Sequence, residues 1–575
     1  MLSEGKFPLP KRGFPPTICV PTMFNYLNYY LAALPFRPVW TKDPTQILDV
    51  LAQLSPALVF VGSFIVYALT AAPTVFGFDS AEYAAAAYNL GVPHPTGYPL
   101  YLLLGKLFTY LPFGDVAYRL NLMSAFFSAS TVTVVYLLAL LVSRRLVLSI
   151  AIAGFLAFSY YFWSASVITE VYSLHAFLNA MTIYLLLLWN RGGSAKLLYG
   201  AGFIWGLSFG NHMTTASLGP AFAFLVVLGL WDQRIKWLQL FPLAACMVLP
   251  LSVYVYLPLR YLAGAVPYAL GHYNAEGVFV PTDTTTIAGI WSALTASQFG
   301  IFFLAHRGFE YVNQLGQVMF WVYANFLGAG LILGILGLIR NFMVDKPRLI
   351  FLSLIFLANM LFFASYGAPD RSFMFLTGYI VWSVWMADGI YLVLTNIENS
   401  FSKEWQRKLV SALGSRARLV RWETLSLLLA IIVLWVNFSY VDLSSFTIIH
   451  DRYPKMMNSL EPNALVLAWW PDSAPMYYFQ QVENIRRDVQ IVDRFLISAK
   501  SEERLLERSV PHRTVYVFGQ RVRPIPLKYK TIPVISDGFE TGYMILSPRR
   551  RRPLEKELGQ TVDQKAEQTV EQEAR

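Results

Sequence analysis

Residues 78–119 read FDSAEYAAAAYNLGVPHPTGYPLYLLLGKLFTYLPFGDVAYR and follow the first membrane-length apolar run of the chain. Asp79 and Glu82 lie three residues apart at the start of a helical pattern, so they share one face of the helix. His94 follows in a turn whose three prolines and two glycines prevent regular structure. A short apolar helix that carries Lys106 comes next. This combination predicts an active-site loop at a membrane surface.

The composition indicates a polytopic membrane protein. Of the 575 residues, 56% are hydrophobic and only 14% are charged, whereas soluble domains carry about 25% charged residues. The net charge of +10 comes from basic residues clustered between apolar runs. The positive-inside rule produces that distribution, so it does not indicate nucleic-acid binding. The two cysteines, Cys19 and Cys246, are too few for a disulfide framework.

Eleven apolar segments approach the roughly 20 residues that cross a bilayer. They are residues 55–73, 120–143, 146–165, 171–190, 197–212, 214–231, 237–257, 317–339, 349–366, 372–394 and 424–440. The division of 197–231 into two spans rests on a polar break at Gly210–His212, and a single span is the open alternative.

Basic residues fall in alternate loops between these segments. They are Arg144, Arg145, Arg191, Lys196, Arg234, Lys236, Arg340, Lys346, Arg348 and the basic residues of 403–421. The short opposite loops near 166–170 and 211–214 carry no Lys or Arg. The rule therefore predicts a cytoplasmic N-terminus, with the loops 74–119 and 258–316 and the C-terminal region on the extracytoplasmic side.

The chain is predicted to divide into four parts. Residues 1–54 form a cytoplasmic tail, and residues 55–440 form the transmembrane domain. Residues 441–548 contain short strand-like runs separated by helical stretches, which predicts a small extracytoplasmic α/β domain. Residues 549–575 are charged and poor in apolar side chains, which predicts a disordered tail. The strand-like runs are 464–469, 489–492, 515–518 and 542–546, and the helical stretches are 473–483 and 501–508.

Motifs throughout residues 55–500 carry a family resemblance. They are DSAEY, GVPHPTGYPLY and PFGDVAYRLN in the first loop, then TEVYSLHAF (169–177), GLSFGNH (206–212), YLPLR (256–260), APDRSF (368–373) and RRDVQIVD (486–493). They resemble a branch of the GT-C membrane glycosyltransferases, in which bacterial members were long a domain of unknown function and a eukaryotic member is a protein O-mannosyltransferase. The sequence departs from the family pattern in two places: AWWPD at 468–472 replaces a more polar stretch, and the loop 258–316 lacks a WGDP-like segment.

The resemblance implies a GT-C-like fold, a sugar donor carried on a polyprenyl phosphate, and transfer to a protein or glycan hydroxyl, with mannose as one candidate sugar. Inverting transfer needs one carboxylate to take the proton of the acceptor hydroxyl, and Asp79 matches the acidic residue of the family motif. The alternative for Asp79 is a helix cap. Glu82 could orient Asp79, bind a sugar hydroxyl or be solvated, and the sequence leaves these three roles open.

The leaving lipid phosphate needs a cation or hydrogen-bond donors near the interface. Arg260 stands at the outer end of a predicted span, where a guanidinium could bind the phosphate bidentately. Its alternative role is to reach the lipid headgroups by snorkelling. Lys106, Arg119 and Arg371 are weaker candidates of the same kind.

Three further residues are candidate substrate contacts. His94, held between two prolines, could donate to the phosphate or the sugar, or could only stabilise the turn. Glu170 lies in a very short outer loop and His212 lies at a span end. Ionisable groups at such depth are usually functional.

Other classes of protein fit the sequence less well. The sequence contains no Cys/His cluster of the kind that binds zinc. The carboxylates could hold Mg²⁺, but their spacing does not assign a Mg²⁺ site. No P-loop or dinucleotide fingerprint is present, so direct use of a nucleotide sugar is unsupported. The main alternative is a transporter or flippase of a lipid-linked sugar or other amphipathic substrate. The sequence lacks the matched halves with paired broken helices that many transporters have.

Overall fold

The computed structural model describes residues 44–265, 269–400, 423–518, 523–536 and 541–546. Most of the predicted N-terminal tail, the basic residues 403–421 and the predicted disordered tail lie outside these ranges. The chain divides into an N-terminal unit, Met1–Leu58, in which the start of the first helix is described, and a large unit, Val59–Arg575.

Helices make up most of the described chain. The first set is α1 (Pro44–Thr70), α2 (Asp79–Asn89), α3 (Pro99–Phe108), α4 (Val116–Ser143), α5 (Leu146–Ala157), α6 (Tyr160–Ser166), α7 (Val171–Asn190), α8 (Ala195–Phe209), α9 (Gly219–Trp231), α10 (Leu240–Val248) and α11 (Tyr256–Leu262). The second set is α12 (Ile287–Leu294), α13 (Gly308–Asn325), α14 (Ala329–Val344), α15 (Lys346–Ser365), α16 (Arg371–Met374), α17 (Leu376–Ser400), α18 (Thr424–Val441), α19 (Ile448–Asn458), α20 (Trp470–Gln481) and α21 (Ala499–Ser509). Short 3₁₀ helices cover Met213–Leu218, Trp237–Gln239, Leu249–Val255 and Ser297–Phe302.

Within the described ranges, eight helical segments are long and apolar enough to cross a membrane, and up to ten if each of two bent pairs is one span. The predicted span 317–339 is not one straight helix, because α13 and α14 meet at an angle of 108°. Gly328 lies at this bend with a φ of +68°, a conformation that glycine adopts without strain. The predicted span 146–165 is likewise bent, by 70°, between α5 and α6.

The chain breaks between α8 and the apolar segment that follows. Helix α8 ends at Phe209 and a 3₁₀ turn begins at Met213, so the predicted division of 197–231 into two segments is confirmed. With 15 residues, α8 is shorter than the other candidate spans. Added to the eight segments and the two bent pairs, α8 would bring the number of spans to the predicted eleven.

Two helices of the bundle approach each other closely through glycines. Helices α14 and α17 pack together, and a Cβ added at Gly337 would lie 1.8 Å from the carbonyl oxygen of Trp385. A Cβ at Gly389 would lie 1.9 Å from the carbonyl oxygen of Leu333. Small residues allow the two backbones to come this close. Such van der Waals packing drives the association of membrane helices, because lipid supplies no hydrophobic driving force between them.

Basic side chains of separate loops meet at one end of the bundle. Arg145 and Arg340 both lie over the ring of Tyr391, at 5.0 and 4.3 Å from its centroid. Arg340 and Arg348 also bind the fully buried Asp388. The loops that contain Arg145 and residues 340–348, which the charge pattern assigned to one side of the membrane, therefore lie together.

The C-terminal region forms a mixed sheet. Its strands are β3 (Leu465–Ala468), β4 (Gln490–Asp493), β5 (Val515–Val517), β6 (Lys530–Ser536) and β7 (Thr541–Leu546), and a separate hairpin in the 258–316 loop contains β1 (Gly271–Tyr273) and β2 (Phe279–Pro281). The order is β4-β3-β5-β7-β6, with β3, β4 and β5 parallel and β7 antiparallel to its neighbours. Strand β3 is buried throughout, as expected for a central parallel strand. The predicted small α/β region is confirmed, and β6 is a strand that the sequence pattern did not predict.

The 258–316 loop packs on this sheet region. The backbone N–H of Tyr273 donates to the carbonyl of Leu496 at 2.9 Å, and the hydroxyl groups of Tyr273 and Tyr477 are hydrogen-bonded. The loop therefore has defined structure, in agreement with its aromatic content.

Candidate active site

A cavity of about 1360 Å³ lies between the first loop, the helix ends next to that loop and the C-terminal sheet. Small-molecule sites usually measure about 300–1,000 Å³, so this one has room for a long ligand. Most of its wall is apolar and aromatic, with Phe302, Phe362 and Phe373 among the lining residues. Five acidic or histidine residues share this wall: Asp79, His94, Glu170, His212 and Asp370.

Asp79 is the first residue of α2 and is only partly buried. The residue before it, Phe78, is the N-cap, and no side chain caps this helix. The Asp79 carboxylate instead faces the cavity, where Oδ1 accepts a hydrogen bond of 2.6 Å from the indole Nε1 of Trp470. This geometry suits a base that meets a substrate better than a helix cap.

Glu82 and His94 form a buried pair beneath Asp79. Glu82 Oε2 lies 2.5 Å from His94 Nδ1, and Oε1 accepts from the His94 backbone N–H at 2.8 Å. Glu82 is 1% exposed, which excludes the solvated role. Burial raises the pKa of Glu82, and the charge of His94 opposes that rise. Both Glu82 oxygens are used by His94, so Glu82 fixes the turn that follows α2.

His94 is held on both ring nitrogens. Its Nε2 lies 2.9 Å from the Tyr98 hydroxyl and 3.1 Å from the Tyr83 hydroxyl. Burial lowers the pKa of His94, but the charges of Glu82 and then Asp79 outweigh it and raise the pKa to about 9. His94 is therefore a cation at neutral pH, at the edge of the cavity.

One potential ligand atom from each of Asp79, Glu82 and His94 lies within 4.8 Å of the other two, a spacing that could hold a metal ion. A metal binds neutral imidazole, whereas both His94 nitrogens already have partners. A cation at this position would have to displace Glu82 or the tyrosines. The group therefore fits an ion pair better than a metal site.

Two carboxylates face Asp79 from other loops. Burial, followed by the charge of Asp79, raises the pKa of both Glu170 and Asp370. Ser80 donates to Glu170 Oε1 at 3.4 Å, while Glu170 Oε2 is buried without a partner among the described residues. Tyr172 donates to Asp370 at 2.8 Å. These two groups hold protons more tightly than ordinary carboxylates, so they could donate hydrogen bonds to a ligand.

His212 also lines the cavity, where its ring centroid lies 6.1 Å from that of Tyr98. Its Nδ1 is 2.7 Å from the Thr214 hydroxyl. Burial and the charge of His94 lower its pKa to about 4, so it is neutral at pH 7. A neutral imidazole can both donate to and accept from a sugar.

The chain is related in sequence to named transferases. Residues 79–235 match the family "Protein O-mannosyl-transferase TMEM260 N-terminal domain". The mouse "Protein O-mannosyl-transferase TMEM260" is 27% identical over 489 residues, which cover 81% of this chain and 66% of the mouse protein. The Dictyostelium discoideum protein of the same name is 25% identical over 244 residues, which cover 39% of this chain and 29% of that protein. The chain thus spans just under two thirds of the first relative and less than a third of the second.

The fold has a solved counterpart in ArnT from Cupriavidus metallidurans bound to undecaprenyl phosphate. The TM-score is 0.51 at 11% identity, and the match covers 87% of this chain and 98% of that chain. This chain has the GT-C fold. These matches confirm the resemblance that the sequence motifs indicated, to GT-C membrane glycosyltransferases with a eukaryotic O-mannosyltransferase.

The basic candidates do not line the cavity of this GT-C fold. Arg260 Nε donates to the carbonyl of Leu90 at 2.7 Å, at the end of α2. Arg119 binds three carbonyls of the 109–114 turn, and Lys106 binds the carbonyl of Tyr88. Arg371 binds the carbonyl of Tyr366 at 2.7 Å, directly after the cavity residue Asp370.

The cavity residues that were not selected from the sequence include three that bind or adjoin the site carboxylates: Tyr172, Asp370 and Trp470. Tyr172 and Asp370 lie inside the motifs TEVYSLHAF and APDRSF, so the motifs pointed to them without giving them a role. Trp470 belongs to AWWPD, the segment that departs from the family pattern.

Proposed function

We propose that this chain is a glycosyltransferase that moves a sugar from a polyprenyl-phosphate donor to a hydroxyl of a protein or glycan on the extracytoplasmic side of the membrane. Mannose is the first sugar to test, because the mouse and Dictyostelium relatives are named protein O-mannosyl-transferases. The polyprenyl-phosphate donor is supported by the ArnT structure, which is described as bound to undecaprenyl phosphate.

The observation that carries the proposal is the position of Asp79 in a large apolar cavity. The apolar wall can receive an isoprenoid chain, and Asp79 presents a carboxylate beside it. Burial raises the pKa of both Glu170 and Asp370, which reduces the negative charge that they place near an anionic phosphate. The nearby His94 would add a positive charge.

The reaction we propose proceeds with inversion. Asp79 takes the proton of the acceptor hydroxyl, and the acceptor oxygen attacks C1 of the sugar on the face opposite the phosphate. The bond between C1 and the phosphate oxygen breaks, and the lipid phosphate leaves with the bonding electrons. Arg260 is our proposed contact for that phosphate, with His94, Glu170 and His212 as contacts for the sugar or phosphate. Lys106, Arg119 and Arg371 remain weaker candidates.

The test is transfer by purified protein in lipid vesicles. The protein is incubated with radiolabelled polyprenyl-phosphate mannose or polyprenyl-phosphate glucose and a peptide rich in serine and threonine, and the label is followed into the peptide. Loss of a general base typically costs about 10²–10⁴-fold in rate, so Asp79→Asn should lose transfer by that factor while remaining folded. Loss of a helix cap would cost only about 1 kcal/mol of stability.

Asp283→Asn is the matched control, because Asp283 is an exposed carboxylate of the 258–316 loop outside the cavity. It should keep normal transfer. A folded Asp79→Asn protein that transfers at nearly the normal rate would refute the proposed base. Failure to transfer from any polyprenyl-phosphate sugar, with export of the donor across the vesicle membrane instead, would favour the flippase alternative.

A further inference from the structure

A side chain from the C-terminal sheet region reaches the carboxylate of the first loop. Trp470 Nε1 donates to Asp79 Oδ1 at 2.6 Å across a sequence separation of 391 residues. Within the described residues, this is the hydrogen bond that the Asp79 carboxylate makes, and its other oxygen, Oδ2, accepts none. The two oxygens of Asp79 are therefore in different environments.

The fold holds Trp470 firmly in this position. It follows β3, the central strand of the three parallel strands, and it is the first residue of α20. Ligands of open α/β sheets commonly lie outside the carboxyl ends of such strands. Helix α20 packs on α2, and the indole ring stands edge-on to His94 with 6.0 Å between ring centroids. Both partners of the hydrogen bond are thus fixed by secondary structure.

We propose that Trp470 is a positioning residue that orients Asp79 for the transfer reaction. This inference rests on the proposed function, in which Asp79 is the base. The indole N–H holds Oδ1, so Oδ2 is the oxygen that faces the acceptor hydroxyl. A hydrogen bond to a carboxylate also favours its charged form, which is the form that can accept a proton.

The indole N–H is a suitable donor for this task because it cannot accept a proton itself. The indole therefore remains a donor throughout the reaction, whereas a neutral histidine could take the proton from Asp79. Trp470 also contributes its ring to the cavity wall. If Trp470 had a purely structural role, it would only form part of the cavity wall and pack on α2.

Other titratable groups interact electrostatically with Asp79, so a test of Trp470 must leave these groups unchanged. They are Glu82 on the same helix, His94 in the following turn, Glu170 and Asp370 on other loops, and the tyrosines Tyr83, Tyr98, Tyr172 and Tyr366. A change of Trp470 to phenylalanine leaves all of them in place. It removes one N–H donor and keeps an aromatic ring.

The main experiment compares the pH profile of kcat/KM for the full-length protein and Trp470→Phe, with polyprenyl-phosphate mannose as donor. The acid limb of the profile should move to higher pH by about one unit, since a hydrogen bond to a charged group contributes that much. Transfer at pH values below the limb should fall about tenfold, with little change in the KM for the donor. An unmoved limb in a folded Trp470→Phe protein would overturn the inference.

Trp469→Phe is the matched control. Trp469 lies next in the chain and in the same cavity wall, but its ring contacts are Phe495 and Arg523 rather than Asp79. Trp469→Phe should leave the acid limb at its original pH, even if the KM changes. A limb shift of equal size in both variants would show that general loosening of the wall, not the hydrogen bond, controls the profile.

A double-mutant cycle separates this inference from the proposed function. If Trp470 acts through Asp79, Trp470→Phe should cause no further loss of the residual transfer in an Asp79→Asn background. Independent, multiplying losses would overturn the positioning role. Near-normal transfer by Asp79→Asn alone would instead refute the base, whatever Trp470 does.

A second substitution guards against misfolding of Trp470→Phe. Benzothienylalanine, placed at position 470 by nonsense suppression, keeps the bicyclic shape of tryptophan and replaces the N–H with sulfur. The same upward shift of the acid limb is expected. A profile identical to that of the unsubstituted protein would overturn the inference without any change of packing.

Discussion

At the scale of single residues, the hydrogen-bond partners of each buried or partly buried charged group determine its task in the site. Glu82 uses both oxygens on His94, whereas Asp79 lines the cavity and uses one oxygen on Trp470. Two carboxylates three residues apart thus have different tasks. The environment of each carboxylate, more than its residue type, determines which one can meet a substrate.

The Glu82–His94 pair predicts a pH-dependent stability. The pKa of His94 is about 9 in the fold against an ordinary value of 6.5, because the nearby carboxylates outweigh burial. The folded protein therefore holds this proton more tightly than the unfolded chain. The resulting stabilisation is complete below pH 6.5 and is lost as the pH rises through about 9.

The measurement is the Tm of the detergent-solubilised protein from pH 6 to 9.5, compared with that of Glu82→Gln. The difference in Tm between the two proteins should shrink as the pH rises through this window. A difference that stayed constant or grew with pH would contradict the prediction of a charged pair.

At the scale of elements, Arg260 connects two parts of the site. It belongs to α11, and its guanidinium binds carbonyls at the C-terminal end of α2, where Leu90 has a φ of +49°. Cations stabilise the carbonyls at a helix C-terminus. Arg260 can therefore stabilise the helix that carries Asp79, in addition to its proposed contact with the lipid phosphate.

Arg260→Lys separates these two roles. A point charge cannot reproduce the planar fork of the guanidinium, so donor affinity should fall if Arg260 binds the phosphate. Affinity is measured as the Kd for polyprenyl-phosphate mannose, and stability is measured as the Tm of the same protein. Arg486→Lys is the matched control, since Arg486 binds carbonyls of Met457 and Leu460 outside the cavity. A lower Tm with an unchanged Kd would restrict Arg260 to the end of α2.

At the scale of the whole molecule, the residues of the candidate site come from loops that the charge pattern assigns to one side of the membrane. Asp79, Glu170, His212 and Asp370 all line one cavity. Arg145 and Arg340, from loops assigned to the other side, meet at Tyr391. The grouping of the loops agrees with the predicted alternation, and the positive-inside rule then predicts that the cavity opens outside the cytoplasm.

Cysteine labelling tests this orientation. Single cysteines are placed at the exposed positions Thr285 and Ser445 and, on the opposite side, at Lys196. Both native cysteines are replaced by alanine. An impermeant maleimide should label Thr285→Cys and Ser445→Cys in intact cells, and Lys196→Cys only after permeabilisation. The reverse pattern would overturn the orientation.

The sequence by itself determined the membrane class, the resemblance to GT-C glycosyltransferases and the position of the first loop, because these depend on local features. Apolar run length, loop charge and contiguous motifs can be read without knowing what touches what. Asp79 and Glu82 could be selected in this way, and so could His94, Glu170 and His212.

Only the tertiary structure decided how these residues are partnered. The contact between Trp470 and Asp79 joins positions 391 residues apart, and it depends on how α20 packs on α2. The candidate arginines were selected by their position at span ends, yet in the fold they bind backbone carbonyls that no sequence pattern marks. A buried polar group must find a partner wherever the packed chain supplies one, and for this reason long-range packing, not local pattern, set the chemistry of the cavity.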